Sequence, residues 1–143
     1  MRAVSRVKLN YGGGNDAEMA FCAWPSRWSI CNTAWNDAQT AFAEAQRQFP
    51  GSTLHNDAGD AFRHCYWSAL MAIYFDSPST AKTFGDLHED HPNNPPAEKA
   101  MDLFNNEKGR AIGVEVKPTT DPVGNAISRC KAGTTNGLLQ TRP

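Results

Sequence analysis

Asp57-Ala-Gly-Asp60-Ala-Phe-Arg63-His64-Cys65-Tyr66-Trp67-Ser-Ala-Leu70 is the stretch whose reading decides the fold of this chain. On a helical wheel of about 100° per residue, Phe62, Cys65, Tyr66, Ala69, Leu70 and Ile73 share one apolar face, while Asp60, His64, Trp67 and Met71 line the opposite side. A solvated helix would carry Lys, Glu and Gln opposite its core face. An acid, an imidazole, an indole and a thioether in that stripe predict a second packed environment, so the helix is expected to be covered on both sides. Asp57 is placed to cap its first turn, and the periodicity runs to about Phe75.

Working outward, Trp28, Cys31, Trp35, Ala38, Phe42, Ala45 and Phe49 alternate spacings of three and four, which predicts a long amphipathic helix ending at Phe49-Pro50-Gly51. Its Glu44, Arg47 and Gln48 read as a solvated face. Ser77-Pro78 is a cap followed by proline at the first helical position, opening a short helix with Ala81, Phe84, Leu87 and His88 on one side. Pro96 opens another, with Ala97, Ala100, Met101, Phe104, Ala111 and Ile112 as its expected core face and Asp102, Asn105, Asn106, Gly109 and Gly113 opposite. Glycines inside a helix cost roughly 1 kcal/mol each against Ala, so Gly109 and Gly113 predict close approach by another helix. Val114 to Lys117 reads as a short extended piece. Asp121-Pro122 then starts a last helix ending at Gly133.

These elements predict an all-α fold: one compact domain of about five helices over residues 21–133, with a flexible arm at 1–20 and a loose tail at 134–143. The length of 143 residues allows one domain with a real core. A net charge of −1 provides no field that would draw the chain to nucleic acid or an anionic membrane, and no apolar run approaches the roughly 20 residues of a membrane span. The basic arm of Arg2, Arg6 and Lys8 lacks the apolar centre of a signal peptide. Cys22, Cys31, Cys65 and Cys130 form no C-x-x-C pair. They allow a disulfide framework, with Cys22–Cys31 preferred and Cys65–Cys130 left over, or a free buried thiol at Cys65.

Two polar stripes, Asp60, Arg63, His64 and Trp67 on one helix and Asp102, Asn105, Asn106 and Arg110 on another, flank the run His88-Glu89-Asp90-His91. Facing each other, they would make a polar active site. His64 and His88 are the candidate acid/base pair, with Asp60 fixing the His64 tautomer and Glu89 assisting. Arg63 and Arg110 offer planar forks for phosphate or carboxylate, and Asn105 and Asn106 could orient substrate. Trp67 is either packing or a substrate wall. Asp57, Asp60, Glu89 and Asp102 could hold a divalent cation, with Ca²⁺ or Mg²⁺ favoured by an all-oxygen set. The plain alternative is a structural ion-pair network that fixes helix register. His55 and His91, beside turn residues, read as exposed imidazoles.

Three blocks, Asp60-Ala-Phe-Arg-His-Cys-Tyr-Trp-Ser-Ala-Leu70, Gly85-Asp-Leu-His-Glu89 and Met101-Asp-Leu-Phe-Asn-Asn-Glu-Lys-Gly-Arg-Ala-Ile-Gly113, resemble a small bacterial domain of unassigned function. That domain occurs in secreted proteins and at the C-termini of polymorphic-toxin-like chains. The resemblance implies export, an antibacterial effector role and a cognate immunity protein as partner. A weaker similarity is to small secreted bacterial phospholipases A2, which would imply Ca²⁺ and a lipid substrate, with Asp86 standing for a second catalytic Asp; here His64 is followed by Cys65 instead of Asp. The combined expectation is a secreted hydrolase of an ester or phosphoester, acting on an envelope lipid or a phosphorylated small substrate.

Overall fold

The computed structural model describes residues 14–143, and within them every regular element is helical. In chain order these are α1 (Asp16–Phe21), a 3₁₀ turn (Pro25–Arg27), α2 (Trp28–Gln48), α3 (Ala58–Tyr74), α4 (Pro78–Glu89), α5 (Pro96–Val116) and α6 (Pro122–Gly133). The all-α expectation holds, with six α-helices where about five were expected. The additional one is α1, inside the stretch read as an arm. It is started by a reciprocal cap in which Asn15 Oδ1 accepts from the Glu18 N–H at 2.8 Å and Glu18 Oε1 accepts from the Asn15 N–H at 3.1 Å. The basic residues of the arm, Arg2 to Lys8, lie outside the described residues.

The start signals read from sequence all operate. Asp57 Oδ1 accepts from the Asp60 N–H, Ser77 Oγ from Ser79 and Asp121 Oδ1 from Gly124, and Pro78, Pro96 and Pro122 occupy first-turn positions where no N–H is required. Before α3 the loop turns through two left-handed residues, Leu54 (φ 57°) and Asn56 (φ 55°). The second of these aims its backbone N–H at Asp60 Oδ2, 2.8 Å away.

Helix α3 is the axis of the domain, and α2, α4, α5 and α6 all pack on it. From Gly59 to Ile73 only Arg63 escapes burial, so the helix is enclosed on every side, its polar stripe included. Phe62, Tyr66, Leu70, Met71, Phe84 and Met101 are the largest fully buried apolar side chains of the core. Two disulfides staple it, Cys22–Cys31 (S–S 2.01 Å) and Cys65–Cys130 (2.12 Å), which settles the cysteine question in favour of two bridges.

Five expectations are corrected. On α5 the buried face is Met101, Asn105, Asn106, Gly109, Ile112, Gly113 and Val116, whereas Ala97, Ala100, Phe104 and Ala111 are exposed. Gly109 and Gly113 explain the inversion. A Cβ on Gly109 would stand 2.8 Å from the Cys65 Cα and carbonyl carbon and nearer still to its oxygen, and one on Gly113 would stand 2.6 Å from the Ala69 oxygen. The close approach is therefore bought by the small, polar face, which becomes the interface with α3. Val114 to Val116 continue α5 and are not extended. Likewise α2 buries the small residues Ala34, Ala41 and Ala45 with Asp37 and Glu44, leaving Phe42 exposed. Glu44, expected in solvent, is buried and paired with Arg47. Finally, the tail is docked: Leu139 is buried against Gly133, and Gln140 is held by Asn105.

Candidate functional site

His64 sits one helical turn after Asp60 on α3, and its side chain is only 4% exposed. Nε2 lies 3.3 Å from Asp60 Oδ1, 3.3 Å from Asp102 Oδ1 and 3.3 Å from Arg63 Nη2. Nδ1 lies 3.2 Å from Asn106 Oδ1 and 3.8 Å from Glu89 Oε1. With Asn106 Oδ1 accepting, the Nδ1 proton is assigned to that hydrogen bond. Nε2 then faces two carboxylate oxygens, which suits either an Nε2–H shared between them or a cation in place of the proton. Helices α3, α4 and α5 each supply part of this set, and the Gly109 and Gly113 contacts bring α3 and α5 close enough for Asp102 and Asn106 to reach the ring.

The two inner carboxyls are driven apart. Burial pushes the Asp60 carboxyl up, but the hydrogen bonds and charges of His64 and Arg63 outweigh it and hold Asp60 well below the usual carboxylate range. Arg63 Nη2 donates to Asp60 Oδ1 at 2.7 Å, and the Asn56 backbone N–H takes the other oxygen. Glu89, equally buried, goes the opposite way. Burial first, and then the adjacent Asp102 carboxylate by charge and hydrogen bond, raise it well above the usual carboxyl range. That shift favours the protonated Glu89 carboxyl at neutral pH, with the Asp102 carboxylate as its hydrogen-bond acceptor. Carboxyls separated in this manner are the pattern of acid/base sites.

His88 stands at the rim, 39% exposed, with its ring edge-on to Trp67 at 4.8 Å and 6.4 Å from the His64 ring. Its Nδ1 lies 3.2 Å from Glu18 Oε1 and its Nε2 3.9 Å from Glu89 Oε1. Asn15 Nδ2 donates to the carbonyls of Leu87 and His88, which docks α1 on the end of α4. Glu18 is the site residue that sequence reasoning missed, and Asn15-x-x-Glu18, a capping-box spacing, was the signal for it. Trp67 is buried and its indole N–H donates to the Ala34 carbonyl at 3.0 Å, so it positions His88 from behind. Arg63, with 29% of its side chain exposed, and Asp102, with 14%, are where this cluster reaches the surface.

Five residues singled out in the sequence are not part of this cluster. Asp57 is committed to the α3 cap and to Ser52 Oγ, and contributes to no metal set. Asn105 spends its amide on the tail, donating to the Gln140 carbonyl at 2.8 Å and accepting from its N–H at 2.9 Å. Arg110 lines a groove between α4 and α5 and feels the charges of Asp86 and Glu107. Asp86 is paired with Lys82 at 2.5 Å on the exposed side of α4, away from the role a phospholipase-like site would give it. His55 is exposed and lies 3.1 Å from Glu98.

For a metal, the grouping that geometry supports among the described residues is Asp60, His64 and Asp102, whose ligand atoms all lie within 4.8 Å of one another. It replaces Asp57 and Glu89 of the sequence-derived set by an imidazole. A nitrogen donor with two carboxylates shifts the preference from Ca²⁺ or Mg²⁺ toward a first-row transition ion such as Zn²⁺ or Mn²⁺.

No solved structure matches the chain. No helix among the described residues is long and apolar enough to cross a membrane. All three sequence blocks, and with them His64, Glu89 and Asp102, fall inside the segment matched by one family model, that of a domain of unknown function, DUF6973, over residues 22–137. The chain belongs to that family.

Proposed function

We propose that the domain is a hydrolase of an ester or phosphoester, with His64 as the central acid/base residue. The observation that carries this reading is the convergence of Asp60 and Asp102 on His64 Nε2 while Asn106 takes Nδ1. Asp60 and Asn106 orient the imidazole, Glu89 and His88 supply and relay a second proton, and Arg63 at the rim holds an anionic group. A stripe of ionised groups this deeply buried is costly to maintain, and acid/base chemistry is a use that explains both its proton-rich and its proton-poor carboxyl. Export as an antibacterial effector, acting on an envelope lipid or a phosphorylated small substrate and checked by a cognate inhibitor, is the context that the resemblance of the three blocks implies. Two disulfides agree with an oxidising compartment.

The test is turnover of p-nitrophenyl phosphate, bis-p-nitrophenyl phosphate, a short-chain acyl ester and phospholipid vesicles, each with EDTA and with added Zn²⁺, Mn²⁺, Mg²⁺ or Ca²⁺. His64→Ala is expected to lower turnover by at least about 100-fold. No turnover on any of these substrates with any ion would overturn the reading. A metal-assisted form is favoured by one observation, the Asp60–His64–Asp102 grouping, and predicts that EDTA removes activity and that a transition ion restores it.

The rival reading is a binding module in which the polar network fixes helix register, favoured by the near-complete burial of Asp60, His64 and Glu89. It predicts that Asp60→Asn and His64→Ala each cost several kcal/mol of stability, whereas an active site often tolerates or gains from such changes.

A further inference from the structure

The α4–α5 groove, of about 690 Å³, is lined by Lys82, Asp86, Leu103, Glu107 and Arg110 among others. Its basic and acidic side chains largely answer each other: Lys82 pairs with Asp86, and Lys99 lies 4.0 Å from Asp90. Arg110 is the exception, since no ion pair or hydrogen bond reaches its Nη1, which is sealed from solvent. Asn106 Nδ2 is in the same state, and the whole Asn106 side chain is buried.

Both unmet donors border Gly85. A Cβ built on Gly85 of α4 would stand 3.7 Å from Arg110 Nη1 and 3.7 Å from Asn106 Nδ2. That distance is ordinary van der Waals contact, so nothing steric forbids alanine at position 85, and alanine would favour the helix. Glycine there leaves open a space bordered by two N–H groups with no acceptor. Buried donors left unmet are unfavourable and ask for a partner. An oxygen displaced from the Gly85 Cβ position toward either nitrogen reaches hydrogen-bond distance, and two donors, one of them charged, fit two oxygens on one anionic centre.

We propose that Arg110 Nη1 and Asn106 Nδ2, uncovered by Gly85, form an oxyanion subsite that takes a phosphate group at the head of the α4–α5 groove. Asn106 joins this subsite to the reacting centre, because its Oδ1 holds His64 Nδ1 at 3.2 Å while its Nδ2 faces the anion. As an anchor for substrate, the subsite rests on the hydrolase reading; as a phosphate site, it stands or falls alone.

The experiment is isothermal titration of the intact protein with inorganic phosphate, with chloride at equal ionic strength as reference. The parent is expected to show saturable binding, weakened at least tenfold by Arg110→Gln and by Gly85→Ala, with the Gly85→Ala melting temperature at or above the parent's. Absence of saturable binding in the parent, or unchanged binding in Gly85→Ala and Arg110→Gln, overturns the proposal. Binding by a parent that turns over no substrate supports the subsite and removes the hydrolase reading. Competition by phosphatidylglycerol vesicles, but not phosphatidylcholine vesicles, would assign the phosphate to a lipid headgroup; no competition would assign it to a small soluble phosphate.

Discussion

Replacing Gly109 by alanine should damage both the fold and the site, and the size of the effect follows from the α3–α5 contact. The new Cβ would stand 2.8 Å from the Cys65 Cα and carbonyl carbon, against an ordinary carbon–carbon separation of about 3.5–4.0 Å. The obstacle is helix backbone, which has no rotamer to move, so α5 must withdraw by about 1 Å. Overpacking of this kind costs about 1–3 kcal/mol. Withdrawal also stretches the 3.2 Å His64–Asn106 hydrogen bond past any useful length, leaving buried polar groups unpaired at a further cost of about 1–3 kcal/mol. Alanine returns about 1 kcal/mol of helix propensity. The expected net loss is about 3 kcal/mol, or about 10 °C in melting temperature for a domain of this size. Calorimetry of Gly109→Ala beside Gly85→Ala reads it directly, because the second variant adds the same methyl group where there is room. A Gly109→Ala protein that melts at or above the parent would refute the close-packing argument, and with it the account of how α5 delivers Asp102 to His64.

Three other outcomes are expected. Asp37, buried on α2 with Oδ2 unpartnered, has its carboxyl pushed up to about 7 by burial, so the folded state holds a proton that the unfolded chain releases near pH 4. Asp37 should therefore contribute a fall in stability of at most about 4 kcal/mol as pH rises from about 4 through 7, on top of the fall that the raised Glu89 carboxyl gives, and Asp37→Asn should remove the Asp37 share; urea melts of the two giving parallel pH curves would contradict it. Removing the Cys65–Cys130 bridge with a double alanine variant opens a sequence separation of 65 residues and should cost about 4 kcal/mol by chain entropy. A loss below about 1 kcal/mol in denaturant titration would show that the bridge constrains little. Asn105→Ala should free the tail, so that limited proteolysis cuts near Leu139 in the variant and not in the parent, with a stability loss of about 1–3 kcal/mol; equal protease resistance would deny Asn105 its clamping role.

Much of this architecture was legible in the letters. The α3 run declared itself because an acid and an imidazole replaced the polar face of an ordinary helix, and each cap-then-proline signal opened a helix. The α5 face was misread for a physical reason. Hydropathy ranks Phe104 and Ala100 above Asn105 and Gly109, yet burial there is decided by how near two backbones come, and only small or self-satisfied side chains allow that approach. On α2, Asp37 was not singled out and Glu44 was read as solvated for a related reason, since the face buried there is lined by Ala34, Ala41 and Ala45. Within the site, the two stripes brought Asp60 and His64 to Asp102, and Glu89 came from the run His88-Glu89-Asp90-His91 between them. Arg110, one turn beyond Asn106, points instead to the groove, a distinction of side-chain direction that spacing alone does not carry. Glu18 lay too far away in sequence for periodicity to attach it to His88.

The bridge from Cys65 to Cys130 begins at the residue immediately after His64, on the carbonyl against which Gly109 packs. Oxidation therefore clamps the same turn of α3 that presents the imidazole, and a chain whose thiols are still reduced must hold that turn by packing alone. In reducing solution the protein would be the slack form, and forming the bond would tighten it.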